Sequence, residues 1–293
     1  MNQKHNPHPI KFETATVSRE HEEWVIHRRC LETWGYTEPL NDEMGLEMVW
    51  IPGGTFVMGA PEDEPESRKN ERPQHEVTLQ PFFMGRYTVT QAQWAIVVGY
   101  PQIEHQLKSH LSTKHKGDNR PAGYVNGDEA TEFCQRLSAH SGRKYKLPSE
   151  AQWEYACRAR TTTPFHFGEI ITTEVANFDG SLTYNGSPKG ELIRQTTDVG
   201  SYPANEWGLH DMHGNIFEWC EDDFHSYEDA PTDGRAKTYL NRTNVERVVR
   251  GGCYSWHPMF SRSAFRFHLD PHFPSRSPGF YLVGFRVVCI QGL

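Results

Sequence analysis

Between about residues 160 and 290 the chain has no long helical or strand period, yet it is dense in aromatic rings, Gly, Asn, Asp and Pro. Such a stretch is too long for a structureless loop and too aromatic for a linker. It must fold as short strands and turns, ordered by something other than long amphipathic elements. Bound cations are natural candidates, because coordination lets oxygen-rich loops fold without a large apolar core. The chain as a whole agrees: 8 Trp, 16 Phe and 12 Tyr among 293 residues are punctuated by 24 Gly and 19 Pro. Rings therefore fill the core between frequent turns.

The first half is more regular. Residues 1–44 are charged and His-rich, with an alternating stretch from Phe12 to Val17 that predicts an edge strand. They read as an N-terminal extension packing on a main domain over residues 45–293. Leu46–Ile51 and Thr55–Gly59 read as strands on either side of Pro52-Gly53-Gly54, together a hairpin. The charged, proline-broken run 60–75 predicts a solvated loop. Strands follow at His75–Leu79 and Phe82–Val89, and Thr90 is placed to cap a short helix carrying Trp94. Residues 101–121 have no apolar period and predict an irregular excursion. Ala130, Phe133, Cys134, Leu137 and Ala139 share a helical stripe that Gly142 stops. Ser149 and Gln152 form a capping box that opens a helix with Trp153, Ala156 and Cys157 on one face.

Charge and cysteine content exclude several classes. With 30 Lys+Arg against 38 Asp+Glu, a net −8, no basic field exists for phosphates, so neither nucleic acid nor an anionic membrane is an expected partner. No run of 18 apolar residues is present and Met1 to Phe12 has no apolar core of a signal segment, so the expected location is cytoplasmic. The six cysteines form no CxxC pair, which argues against a zinc knuckle or a dense disulfide framework. They are expected reduced, with a Cys134–Cys289 bond the pairing left open for an oxidising compartment. His210 and His213 have HxxH spacing in a turn, weak ground for zinc. Ser149 is a helix cap with no Ser-His-Asp motif around it.

Five ordered landmarks then converge. Met48–Gly59, Leu147–Arg158, Gly208–Trp219, Arg250-Gly251-Gly252 and Gly284–Val288 resemble those of formylglycine-generating enzymes and their sulfatase-modifying-factor relatives. The resemblance spans roughly residues 46–290. It implies an α+β, C-type-lectin-like fold with little regular secondary structure and two structural calcium ions. Carried over by position, the first calcium falls on Asn177, the carbonyl of Phe178, Glu191 and the carbonyl of Ile193. The second falls on Asp211, the carbonyls of Gly214 and Ile216, and Glu218. Hard oxygen donors of these kinds suit calcium; a pair of surface carboxylates is the plainer reading of Asp211 and Glu218. The resemblance also implies, in active members, two cysteines five residues apart that hold copper(I) for oxidation of a substrate cysteine. Here those positions are Trp256 and Ser261. Neither replaces a thiolate, and copper(I) prefers soft sulfur donors, so no copper centre and no catalytic residue are expected. Cys253, His257 and Met259 are the donors nearby. Gly127 stands where the family places a Trp.

Residues 253–283 look built for recognition. Tyr254, Ser255, Trp256, His257, Met259, Phe260, Phe267, His268, Leu269, Asp270, His272 and Phe273 are the expected ligand-binding set, an apolar patch edged by His and Asp. Core filling is an equal reading for Phe265 and Phe280. The segment resembles the variable region of proteins diversified by retroelements, in which randomised adenines scatter Asn codons into Phe, Tyr, Ser, His, Leu and Asp; Trp256 and Met259 fall outside that codon set. The expected function is a noncatalytic binding module for a protein or other ligand. The alternatives are a metal-dependent oxidase of a protein cysteine, and an accessory domain docking through its N-terminal extension onto a larger assembly.

Overall fold

The computed structural model describes residues 7–108, 115–240, 245–272 and 282–290. In chain order its strands are β1 (His8–Glu20), β2 (Glu23–Pro39), β3 (Gly45–Ile51), β4 (Gly54–Met58), β5 (His75–Leu79), β6 (Phe82–Gly85), β7 (Tyr145–Lys146), β8 (Phe217–Asp223), β9 (Arg247–Arg250), β10 (Phe267–Leu269), β11 (Val283–Gly284) and β12 (Val288–Cys289). The helices are α1 (Gln91–Val98), α2 (Gly127–Ser141) and α3 (Glu150–Arg158). Six strands form one sheet in the order β1-β2-β3-β6-β12-β7, four form a second as β10-β9-β8-β11, and β4 pairs with β5. This is an α+β architecture with short elements and long connections. No helix among the described residues is long and apolar enough to cross a membrane.

The strand expected at Phe12–Val17 lies inside β1, the outer strand of the six-stranded sheet. β1 and β2 form a hairpin turning at His21 and Glu22, both at positive φ, as a two-residue turn matched to strand twist requires. The far end of β2 pairs with β3, Gly35 opposite Val49, so this hairpin and the segment after residue 45 share one sheet.

All three helices open on reciprocal caps, at Thr90 with Gln93, Asn126 with Glu129, and Ser149 with Gln152. Each satisfies two backbone donors that the first helical turn leaves free. Gly142 ends α2 at φ 74°, the left-handed conformation that glycine adopts without strain. Ala139 is exposed rather than on the buried stripe of α2.

Two expectations fail. Leu46–Ile51 and Thr55–Met58 are strands, but they do not pair with each other: β3 sits between β2 and β6, while β4 pairs with β5. The 60–75 run is not a wholly solvated loop, because Glu64 and Glu71 are buried against Arg262. The strands pair with their neighbours in the chain, β2 and β6 for β3 and β5 for β4, whereas Arg262 lies 198 and 191 residues from Glu64 and Glu71.

Arg262 belongs to a group of four guanidiniums at 0% exposure, with Arg250, Arg266 and Arg286. Arg250 meets Glu154 at 2.5 Å, Arg266 grips Glu150 at 2.5 and 2.8 Å, and Arg286 grips Glu218 at 2.7 Å through two nitrogens. Arg158 shares Glu154 from one helical turn on. An unpaired charge in such a place costs several kcal/mol, so these pairs fix how α3, β8, β9 and the 60–75 loop can meet. They stand in for the long amphipathic elements the C-terminal half lacks. All six cysteines are free thiols, so Cys134 and Cys289 are not bonded.

Candidate functional site

The ligand-binding segment starts where β9 ends. Gly251 and Gly252 take φ of 95° and 72°, and a Cβ on Gly252 would lie 2.3 Å from Ser261 Oγ. Only glycine allows the chain to reverse this tightly against the 258–261 turn. The reversal carries Trp256 onto the second sheet, its ring 5.1 Å from Phe217, 5.6 Å from Phe267 and 5.0 Å from Phe260, edge to face in each case. Trp256, Phe267 and Leu269 line a small apolar cleft together with Phe217, Cys253, Leu282 and Val283.

The segment divides by exposure. Trp256, His257, Met259, Phe260, Phe267, His268 and Leu269 are half-buried, while Ser255, Asp270 and His272 are exposed. Tyr254 corrects the expectation: its ring is in the core and its hydroxyl lies 3.0 Å from His115 Nε2. A tyrosine two residues beyond Gly252 points inward because the reversal turns that face to the core. Phe265 is fully buried, whereas Phe273, Phe280 and Tyr281 lie outside the described residues. Met259 packs on a separate core around Phe165 and Phe167. His268 Nδ1 lies 2.5 Å from Glu246, and His272 Nδ1 2.5 Å from Asp128. The patch is thus a half-buried aromatic ridge rimmed by imidazole and carboxylate.

The copper positions can be tested on this geometry. Trp256 lines the cleft with an indole, and Ser261 is buried with an unpartnered hydroxyl oxygen. The nearby thiol, Cys253, is buried and pushed up to about 12, so it holds its proton at neutral pH. A protonated thiol, an indole and a hydroxyl do not make a soft-metal site. The residues do not fit copper(I).

The residues expected to hold calcium are differently placed. Glu218 is spent: Arg286 grips both its oxygens, and Trp153 Nε1 donates to one of them at 2.7 Å. Glu191 is exposed and Ile193 half-exposed, while Phe178 is buried. The carbonyl of Gly214 accepts from the Ile216 amide at 2.8 Å. Asn177 and Asp211, assigned to separate sites by the resemblance, line one cavity, and each keeps a buried oxygen without a partner. Burial pushes the Asp211 carboxyl up to about 6, opposed by the Gly200 amide. His166, absent from the sequence reading, lines the same cavity.

Residues 35–289 match the profile of the sulfatase-modifying factor enzyme 1-like domain. The chain belongs to this family. Its fold is the C-type-lectin-like fold of these proteins. PvdO of Pseudomonas aeruginosa superposes with a TM-score of 0.73 at 30% identity, over 88% of this chain and 98% of PvdO. Variable protein 1 of Treponema denticola superposes at 0.64 and 21% identity over 87% and 98%, a likeness of fold. In sequence, the chain is 32% identical over 247 residues to the serine/threonine-protein kinase pkn1 of Chlamydia caviae. That match takes in 80% of this chain but 37% of the kinase, so the chain spans little more than a third of that relative. The mouse formylglycine-generating enzyme is 26% identical over 271 residues, 73% of this chain and 68% of the enzyme.

Proposed function

We propose that this chain is a noncatalytic ligand-binding module of the sulfatase-modifying-factor family, presenting the ridge of Trp256, Phe260, Phe267 and Leu269 to a protein or other ligand. The observation that carries this reading is Trp256 itself. It stands where the oxidase site has a thiolate, lines the cleft and presents a half-buried indole packed on three other rings. A rigid aromatic with few rotatable bonds is the side chain that most often anchors an interface. The name of the Treponema neighbour, a variable protein, supports use of this fold as a scaffold for changing surfaces. Diversification of residues 253–283 by a retroelement is part of the proposal, and a template copy beside the gene would support it.

The oxidase alternative draws on likeness to the mouse formylglycine-generating enzyme. It needs soft ligands where Trp256 and Ser261 stand, so the binding reading is favoured. The test is selection of a displayed peptide library on the intact chain, followed by measurement of each selected peptide against W256A and W34A. Removing an interface anchor costs about 2–4 kcal/mol, roughly 30-fold to 1000-fold in affinity. Peptides that lose this much on W256A and nothing on W34A, a substitution at the exposed Trp34 of β2, support the ridge. Peptides indifferent to W256A count against it.

A further inference from the structure

Buried polar atoms in folded proteins are nearly always partnered, and a group of orphans around one cavity calls for an occupant. Such a group occurs where the loop before β8 meets residues 166–177. The cavity is lined by His166, Asn177, Tyr202, Asp211, His213 and Gly214, with apolar neighbours between them. Two of its histidine neighbours are spent. His213 Nδ1 lies 2.7 Å from the Ser261 carbonyl while its Nε2 accepts from the His166 amide at 3.0 Å. His210 Nδ1 lies 2.8 Å from the Tyr202 carbonyl, with its Nε2 at 3.5 Å from the Arg86 guanidinium.

His166 is different. It is 7% exposed, its ring lies 4.0 Å from that of Phe167, and neither ring nitrogen has a partner. Asn177, 2% exposed, donates from its amide nitrogen to Gln195 O and Asn215 Oδ1, which orients the amide and leaves Oδ1 open. Asp211 accepts the Gly200 amide on Oδ2 at 2.8 Å and leaves Oδ1 buried and open. Each orphan of this kind destabilises the fold if nothing meets it.

We infer that the cavity binds one divalent first-row transition-metal ion through an imidazole nitrogen of His166, Oδ1 of Asn177 and Oδ1 of Asp211, with water completing the shell. Donor chemistry selects the class. One nitrogen, one carboxylate oxygen and one amide oxygen suit borderline ions such as Mn²⁺, Fe²⁺, Co²⁺ or Zn²⁺. Calcium wants six to eight oxygens, and the second carboxylate it would need, Glu218, is held by Arg286. The hydrogen bonds to Asn177 and Asp211 are the outer contacts that hold ligands in one orientation before the ion arrives. The site is independent of the Trp256 ridge. A water molecule bridging the same atoms is the competing occupant, and the test separates the two.

The full chain, stripped with a chelator, is titrated with Co²⁺ while visible absorption and melting temperature are followed. One equivalent should give d–d bands of a nitrogen–oxygen site, raise the melting temperature, and persist in excess Ca²⁺. H166N and D211N should each weaken this by at least about 10-fold, while W34A, at an exposed position of β2, binds as the unsubstituted chain does. The exposed histidines are common to all variants, so bands that H166N keeps at undiminished affinity belong to them and overturn the assignment. No bands, displacement by Ca²⁺, or an unchanged melting temperature would also overturn it, leaving water or calcium as the occupant. Should H166N fail to fold, the Ca²⁺ competition and the melting shift of the unsubstituted chain decide alone.

Discussion

Replacing Glu218 by Gln removes one charge from a fully enclosed ion pair while keeping the shape of the side chain. Arg286 is at 0% exposure and directs Nε and one terminal nitrogen at the two Glu218 oxygens, both at 2.7 Å. Its other hydrogen bonds run to the carbonyls of His210 at 3.0 Å, Gly85 at 3.1 Å and Arg86 at 3.5 Å, which accept but carry no charge. E218Q therefore strands a buried cation, and breaking such a pair from one side costs about 3–5 kcal/mol. The Gln oxygen can still accept from Trp153 Nε1, so the loss is electrostatic rather than a cavity. Whole-domain stability is about 5–15 kcal/mol, and each kcal/mol shifts the midpoint of a domain of this order of size by about 2–4 °C. The variant should melt roughly 10 °C lower. Urea unfolding followed by tryptophan fluorescence measures this, with E218Q/R286M completing the cycle; the double variant should fall short of additivity by about 2 kcal/mol or more. A loss below about 1 kcal/mol for E218Q, or additive single effects, would refute the view that these pairs organise the interior.

Asp222 is pushed up to about 7 by burial and by the Glu150 carboxylate, although it accepts the Lys237 and Glu150 amides. Its folded pKa is above the unfolded one, so its stabilising contribution is full below about pH 4 and fades as pH rises through 7; D222N should flatten the pH dependence of stability across that window, and an unchanged slope would count against the assignment. Cys30 is exposed and the other five cysteines are buried, so Ellman's reagent should titrate one fast thiol in the native chain and six after denaturation. The pair W256C/S261C restores two thiols five residues apart and should add one tightly held Cu(I) per chain, read by competition with a chromophoric chelator; no gain would mean that more than the two ligands has been lost.

What the sequence disclosed was local or rested on ordered landmarks. Capping boxes at Ser149 and the cap at Thr90 are spelled within four residues, and the structure shows both. The Asn126–Glu129 box has the same spelling. What stayed hidden was pairing at long range. Nothing in the 60–75 run says that Glu64 and Glu71 meet Arg262, 198 and 191 residues away. Strand period reveals β3 and β4 but not that each pairs elsewhere. In the site, Tyr254 resembled its exposed neighbours because composition does not encode which way the reversal at Gly252 turns a ring. His166 carried no motif, and its signal, a histidine between two phenylalanines, is indistinguishable in sequence from a core residue.

The central claim is that this fold serves binding here because its redox metal has no ligands. The direct measurement is Cu(I) affinity by chelator competition, with oxygen uptake in the presence of a cysteine-containing peptide. The account predicts neither tight copper nor oxygen consumption above that of free copper. One Cu(I) per chain, with peptide-dependent oxygen uptake, would contradict it.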